Sequence, residues 1–445
     1  MLDFYLTLAS YFGLATLLIV GLFFNRHFFL TLFLVKPFID MTVNVNIIGE
    51  FNALEISGVF SALLLLIKYL NKPISYPTFN EIWIWIFIGL QIFSFFLNVS
   101  VDTRSIFIST KVYLKMLNSY LIYFMAAIEM FENFKKRVNL IKVIWLTTLA
   151  AGVITILVFA LGLSNFDTTR GVVRYNGLYN DPGTPSYLSV ICLLFCNLYF
   201  SITLKKPNHF FKFLKVLTLG VTGVILVITM TKSALVMFLI YVIMWYGIYE
   251  KHMFLIIPAL AISIYLSFSL SDDLNTRFET EINYVDSGGD ADAAKSIGTG
   301  RVNRWETLFD VYFNELGPVN QLFGTSKHWM AHNQYIAYLM QVGIVGLTIF
   351  LIFLIRFIVK LFTIYHKTHN PSVFAAYTLL IMYVFYTFTG HPFDYTTLLW
   401  YLMILLSMIN VYDVHQMRLR HQKIKELNES NLLLKKTQLN INNIR

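Results

Sequence analysis

Charge is scarce in this chain. Only 13% of its 445 residues are Asp, Glu, Lys or Arg, about half the roughly 25% of an ordinary soluble domain. So few charges, beside 57% hydrophobic residues, argue against a water-soluble surface and for a chain whose solvent is mostly lipid. Cysteine is nearly missing too. Cys192 and Cys196 are the whole complement, at i and i+4 of one apolar run, which excludes a disulfide scaffold and reads as two small residues on one helix face. Segments of about ten alternating residues, the mark of a membrane β-barrel, are not found. There is no nucleotide-phosphate loop, no HExxH and no group of His, Cys, Asp and Glu at metal-ligand spacing, so the expectation is metal-independent chemistry without a cofactor. No internal repeat is evident. The start, Met1-Leu2-Asp3-Phe4, lacks a basic n-region and a small-residue cleavage site, so the first apolar run reads as a retained helix.

What the chain does have is a succession of apolar runs long enough to cross a bilayer as helices. They fall at 4–24, 27–40, 51–70, 82–98, 105–130, 139–163, 184–204, 213–230, 233–249, 253–271, 331–355, 373–390 and 395–412. The reading is an all-α polytopic membrane domain over 1–412 with about 12–13 transmembrane helices, followed by a basic tail over 413–445. The second run is short and holds Lys36-Pro37, which suggests a re-entrant or half-buried helix. Seventeen percent of the residues are aromatic, several near run ends, as interfacial anchors require.

The net charge of +9 matters less than its placement. Lys135, Lys136, Arg137 and Lys142 lie in one connection, and Lys205, Lys206, Lys212 and Lys215 in another. Arg356, Lys360 and Lys367 lie near a third, and the tail adds more. The positive-inside rule assigns these to the cytoplasm. Contact with anionic lipid accounts for the tail, and no nucleic-acid partner is needed. The opposite, outer face then holds segment 164–183, the turn at 230–233 and the long segment 272–330. In the last of these, Trp305, Leu308, Phe309 and Tyr312 follow i, i+3, i+4, i+7, which predicts an interfacial helix with Arg301 and Arg304 at its N-terminal end. Gly317-Pro318 ends it.

The chemistry-bearing residues gather on that outer face. Arg170 and Arg174 precede a turn, Asn180-Asp181-Pro182-Gly183. They suit a diphosphate through bidentate donation, or alternatively hold headgroups or pair with Asp167 and Asp181. Thr231-Lys232-Ser233 forms a helix–helix turn, where Lys232 either snorkels or points into a site. His332, next to Asn333 at the mouth of an apolar helix, has an imidazole suited to accept a hydroxyl proton. His391 and Asp394 form a second His/Asp pair, read mainly as a turn and helix cap. Lys36, Lys111 and Lys115 lie within spans, either lining a polar cavity or paired with Asp40 or Glu129.

Together these elements resemble a known family. They are an arginine before Gly177-Leu178-Tyr179-Asn180-Asp181-Pro182, then Thr231-x-Ser233, then Gly300-Arg301-x-x-x-Trp305. Phe323-Gly324, His332-Asn333-x-Tyr335-Ile336 and Gly343-Ile344-x-Gly346 follow. Over roughly 165–350 the chain resembles the bacterial O-antigen ligase and polymerase family. Where many members carry Ser-Arg after the threonine, this chain has Lys232-Ser233.

The resemblance implies a GT-C-like helical fold in the bacterial cytoplasmic membrane, with its site facing the outside. The donor would be a glycan on undecaprenyl diphosphate, and the acceptor another glycan or a lipid. Arg174, Arg170 and Lys232 would hold the diphosphate, supported by Ser233 and Asp181. Arg301 or Arg304 would stabilise the leaving group. His332, supported by Asn333, would orient or deprotonate the acceptor hydroxyl. The first expectation is a repeat-unit polymerase, with a chain-length regulator as a candidate partner. The alternatives are an O-antigen ligase acting on lipid A core and, from another class, a polysaccharide or lipid transporter. Transporters commonly show inverted repeats and mid-membrane broken helices.

Overall fold

The computed structural model describes residues 2–24, 27–43, 45–48, 51–71, 79–98, 114, 117–128, 134–169, 172–203, 208–229, 231–252, 254, 258, 301–327, 329, 331–393 and 396–412. Most of the expected span at 253–271, the segment 272–300, Lys111, Lys115, Arg170, Asp394 and the tail 413–445 lie outside those residues.

The described chain is helical almost throughout. Its elements are α1 (Leu2–Phe23), α2 (Phe28–Asp40), α3 (Ala53–Asn71), α4 (Phe79–Leu97), α5 (Leu117–Ile128), α6 (Phe134–Ala160) and α7 (Gly183–Ile202). They continue with α8 (His209–Thr229), α9 (Lys232–Val242, prolonged by a π-type turn over Ile243–Tyr249), α10 (Arg301–Asp310, prolonged likewise over Val311–Glu315) and α11 (Pro318–Phe323). The last three are α12 (Gln334–Thr368), α13 (Pro371–Thr387) and α14 (Thr396–Leu406). Among the described residues seven helices are long and apolar enough to cross a membrane, and four shorter apolar helices stand among them. This is an all-α polytopic membrane protein. Two small antiparallel hairpins interrupt the pattern: β1 (Asn46–Ile48) with β2 (Phe51–Asn52), and β3 (Asn165–Thr169) with β4 (Val172–Gly177). The second lies within 164–183, where the sequence reading assigns a turn before a helix but no strands. Its strands are rich in Thr, Val and Tyr, which fit a pleated ribbon.

Helix α7 is the hub, buried along nearly its whole length and packed on α6, α8, α9, α13 and α14. Small and polar residues let neighbours approach it closely. Ser186 meets Thr229 of α8, and Ser189 accepts at its carbonyl from Thr222 Oγ1 at 3.1 Å. Cys192 and Cys196 are buried here as free thiols.

The two ends of the bundle differ. At one end Trp145 of α6 packs on Tyr199 and Phe200 of α7 and on Phe211 of α8, close to Lys142 and Lys215. Also at this end, Tyr249, Tyr365 and Phe374 join the exit of α9 to α12 and α13. The other end holds the exits of α6, α8 and α13, the entries of α7, α9 and α12, and the β3–β4 hairpin, whose Tyr175 ring stands 4.6 Å from Phe159.

Helix α12 corrects the expected span at 331–355. It continues to Thr368. Arg356 and Lys360 had marked the end of the apolar run, but long basic side chains tolerate a continuing helix by reaching toward polar surroundings. It is also broken, because Gly343 has φ 68 and ψ −175. The chain after α11 fills the break. Thr325 N donates to Met340 O (2.9 Å), Ser326 N to Gln341 O (3.0 Å) and Ser94 Oγ of α4 to the same carbonyl (3.0 Å). Carbonyls freed in an apolar interior need such partners.

Lys36 and Asp40 of α2 are both buried and form an ion pair. The Lys36 ammonium also donates to Thr397 Oγ1 at 3.4 Å and lies 4.9 Å from the Trp400 ring centroid.

Candidate functional site

Asp181 begins the site by starting a helix. Its Oδ1 accepts from the Thr184 backbone N–H (2.9 Å) and its Oδ2 from Thr184 Oγ1 (2.6 Å). These bonds satisfy donors that the first turn of α7 leaves open. Thr231 Oγ1 donates to Pro182 O at 3.2 Å, so the Thr231-Lys232-Ser233 turn sits against the α7 entry. Ser233 shares a short hydrogen bond with the Tyr187 hydroxyl.

Tyr187 carries the connection onward. Its ring stands 4.3 Å from that of Tyr386 on α13. Gly390 lies under Tyr386 so closely that an added Cβ would come 2.4 Å from the ring. The next residue, His391, is buried and has its ring 6.4 Å from His332. His332 is exposed and adopts φ 49, a left-handed conformation uncommon outside glycine. Asn333 is the N-cap of α12, its Oδ1 accepting from Tyr335 N (2.9 Å) and Ile336 N (3.2 Å). Gln334 Oε1 accepts from Phe393 N at 3.1 Å, and Thr387 Oγ1 donates to the Tyr335 hydroxyl at 2.9 Å. These bonds fix the α12 entry against the α13–α14 turn.

The arginine-bearing helix joins at the other side of His332. Arg301 opens α10, as expected, and Arg304 is exposed one turn later. Trp305 Nε1 donates to Ala331 O at 2.6 Å. Trp305, Leu308 and Tyr312 pack on Ala331, Ile336, Ala337 and Met340, whereas Phe309, assigned to the same face by spacing, is 38% exposed. Tyr312 donates to Gln321 O at 2.6 Å, so α10 and α11 hold together.

Arg174 lies on β4 opposite Asp167. Beneath the hairpin an open cleft of about 390 Å³ is lined by Ser164, Asn165, Phe166, Asn176, Tyr179 and Asn180. Burial, and then the Asp40 carboxylate, push the Tyr179 phenol above its ordinary range, so it stays a protonated donor.

The structure thus brings Asp181, Ser233, Lys232, His332 and Asn333 to one end of the bundle, with α10 fastened to it. Arg170 lies outside the described residues, as does the side chain of Arg301. Sequence reasoning missed Tyr187 and Tyr386, because interior tyrosines carry no local signal. It also undervalued His391, whose nearness to His332 depends on how α13 returns. Asp181 and Asn333 act here through the backbone, as helix caps. Among the described residues no three His, Cys, Asp or Glu side chains come together in a way that could hold a metal ion. Compared with protein-family models, the chain matches none, and no curated protein matches its sequence.

Proposed function

We propose that the chain is a membrane glycosyltransferase that polymerises oligosaccharide repeat units carried on undecaprenyl diphosphate into a surface polysaccharide. Support for this reading comes from one relationship above all. The Trp305–Ala331 bond fastens the helix opened by Arg301 beside His332, so cationic groups and a titratable imidazole share one end of a membrane bundle.

In this reading the acceptor hydroxyl attacks the anomeric carbon of the donor as the glycosidic C–O bond breaks. The electron pair leaves with the diphosphate, whose growing charge Arg174, Lys232 and the α10 arginines offset. Arginine suits that role because its planar fork donates to two phosphate oxygens at once. The hydroxyl proton passes to His332. Groups fixed in advance toward developing charge are the largest source of rate in such transfers. In this reading the site faces outward from a bacterial cytoplasmic membrane, and the basic residues at the far end of the bundle support that orientation through the positive-inside rule. A GT-C-like arrangement belongs to the same reading.

The test is turnover by purified protein with a lipid-diphosphate-linked repeat unit as sole substrate, read as a product ladder on a gel. A ladder without core acceptor is the expected result. Transfer only after lipid A core is supplied would make the enzyme a ligase. No product in either case would overturn glycosyl transfer.

A further inference from the structure

We propose that the cleft beneath the β3–β4 hairpin binds neutral sugar residues of the lipid-linked glycan, a subsite of the transferase just described and resting on that reading. The cleft's lining decides the ligand class. Asn165, Asn176 and Asn180 supply amides, Ser164 and Tyr179 supply hydroxyls, and Phe166 supplies a ring that is 65% exposed. Among the described residues no cationic or anionic side chain lines it, so they offer an anion no charge partner there. An acyl chain would strip water from five polar side chains and return nothing to them. A pyranose satisfies both kinds of wall. Its hydroxyls donate to and accept from amides, while its C–H face lies flat on an aromatic ring. The volume, about 390 Å³, falls within the roughly 300–1,000 Å³ of pockets that take small organic ligands.

Asn176 adds an independent observation. It is 5% exposed and donates through Nδ2 to Asn180 O at 3.3 Å, yet its Oδ1 has no hydrogen-bond partner. A buried acceptor without a donor is uncommon, and a sugar hydroxyl supplies the missing one. The cleft is also near Arg174 in the chain, because Asn176 follows it by two residues on β4, where the pairing with β3 slips.

The experiment measures sugar binding apart from turnover. The probe is the oligosaccharide released by mild acid from the host's lipid-linked glycan pool, detected by saturation-transfer NMR on protein in nanodiscs. Wild-type protein binds it. Asn165→Ala and Phe166→Ala, both at exposed positions, raise the half-saturating concentration about 10-fold or more, equivalent to about 1.4 kcal/mol. The same variants bind sugar-free undecaprenyl diphosphate as wild type does. Equal oligosaccharide binding in both variants, or none by wild type, would overturn the subsite. Wild-type protein that binds the oligosaccharide in this variant-sensitive way, yet gives no product from lipid-linked donor, would retire glycosyl transfer and leave the cleft a sugar site.

Discussion

Tyr187 of α7 and Tyr386 of α13 lie ring against ring, 4.3 Å apart at an angle of 39°. The Tyr187 hydroxyl reaches Ser233 on α9 at the same time, so one side chain ties three helices at the end that carries the site. The two interactions separate by substitution. Tyr187→Phe keeps the stack and loses the hydroxyl, costing about 1 kcal/mol, whereas Tyr187→Ala also opens a cavity and costs about 3–5 kcal/mol. Thermal unfolding in nanodiscs should rank them in that order; equal melting temperatures would show that the ring is not a tie.

Arg174→Ala and His332→Ala should each cut long-chain product by about 100-fold or more while the protein still inserts and accumulates. Gel analysis of the polysaccharide with an immunoblot of membranes checks both at once. Normal chain length in both variants would sink the site.

If the α10 arginines grip phosphate with two donors each, charge alone will not replace them. Arg301→Lys and Arg304→Lys, made singly, should show at least one variant with turnover down about 10-fold despite the retained charge. Wild-type rates in both would mean a diffuse field in place of a fork.

Lys36 and Asp40 are a buried ion pair. Lys36→Met leaves a buried carboxylate uncompensated and should cost about 3–5 kcal/mol, while Lys36→Met with Asp40→Leu should recover most of it. Protein yield and melting temperature of the three forms make the measurement. A double variant as weak as the single would point to a role for the charges beyond mutual neutralisation.

Gly324 and Gly343 interlock at the break in α12. Both have positive φ, and a Cβ on Gly343 would come 2.3 Å from Leu322 O, one on Gly324 2.2 Å from Gln341 O. Gly343→Ala or Gly324→Ala should therefore cost at least about 1–3 kcal/mol, and Gly317→Ala, which meets nothing within 4 Å, should be near neutral. A thermal scan that found all three alike would contradict the interlock.

The membrane class, most helix positions and several helix starts were legible in the residues alone. Apolar run length is a one-dimensional property set by bilayer thickness. Caps such as Asn333 and Asn370, the latter just before Pro371 of α13, act within a turn of themselves. Even the short α2 announced itself through Lys36-Pro37. What the sequence could not show was which face of each helix looks inward. In lipid both faces are apolar, so the hydrophobic period that orients a helix in water is weak. Only packing could therefore set Tyr187 against Tyr386, return His391 to His332, seat the chain after α11 in the break at Gly343, and turn the Asn-rich end of the hairpin into a cleft. Each of these joins residues far apart in sequence through steric fit and hydrogen bonding, which no local pattern encodes.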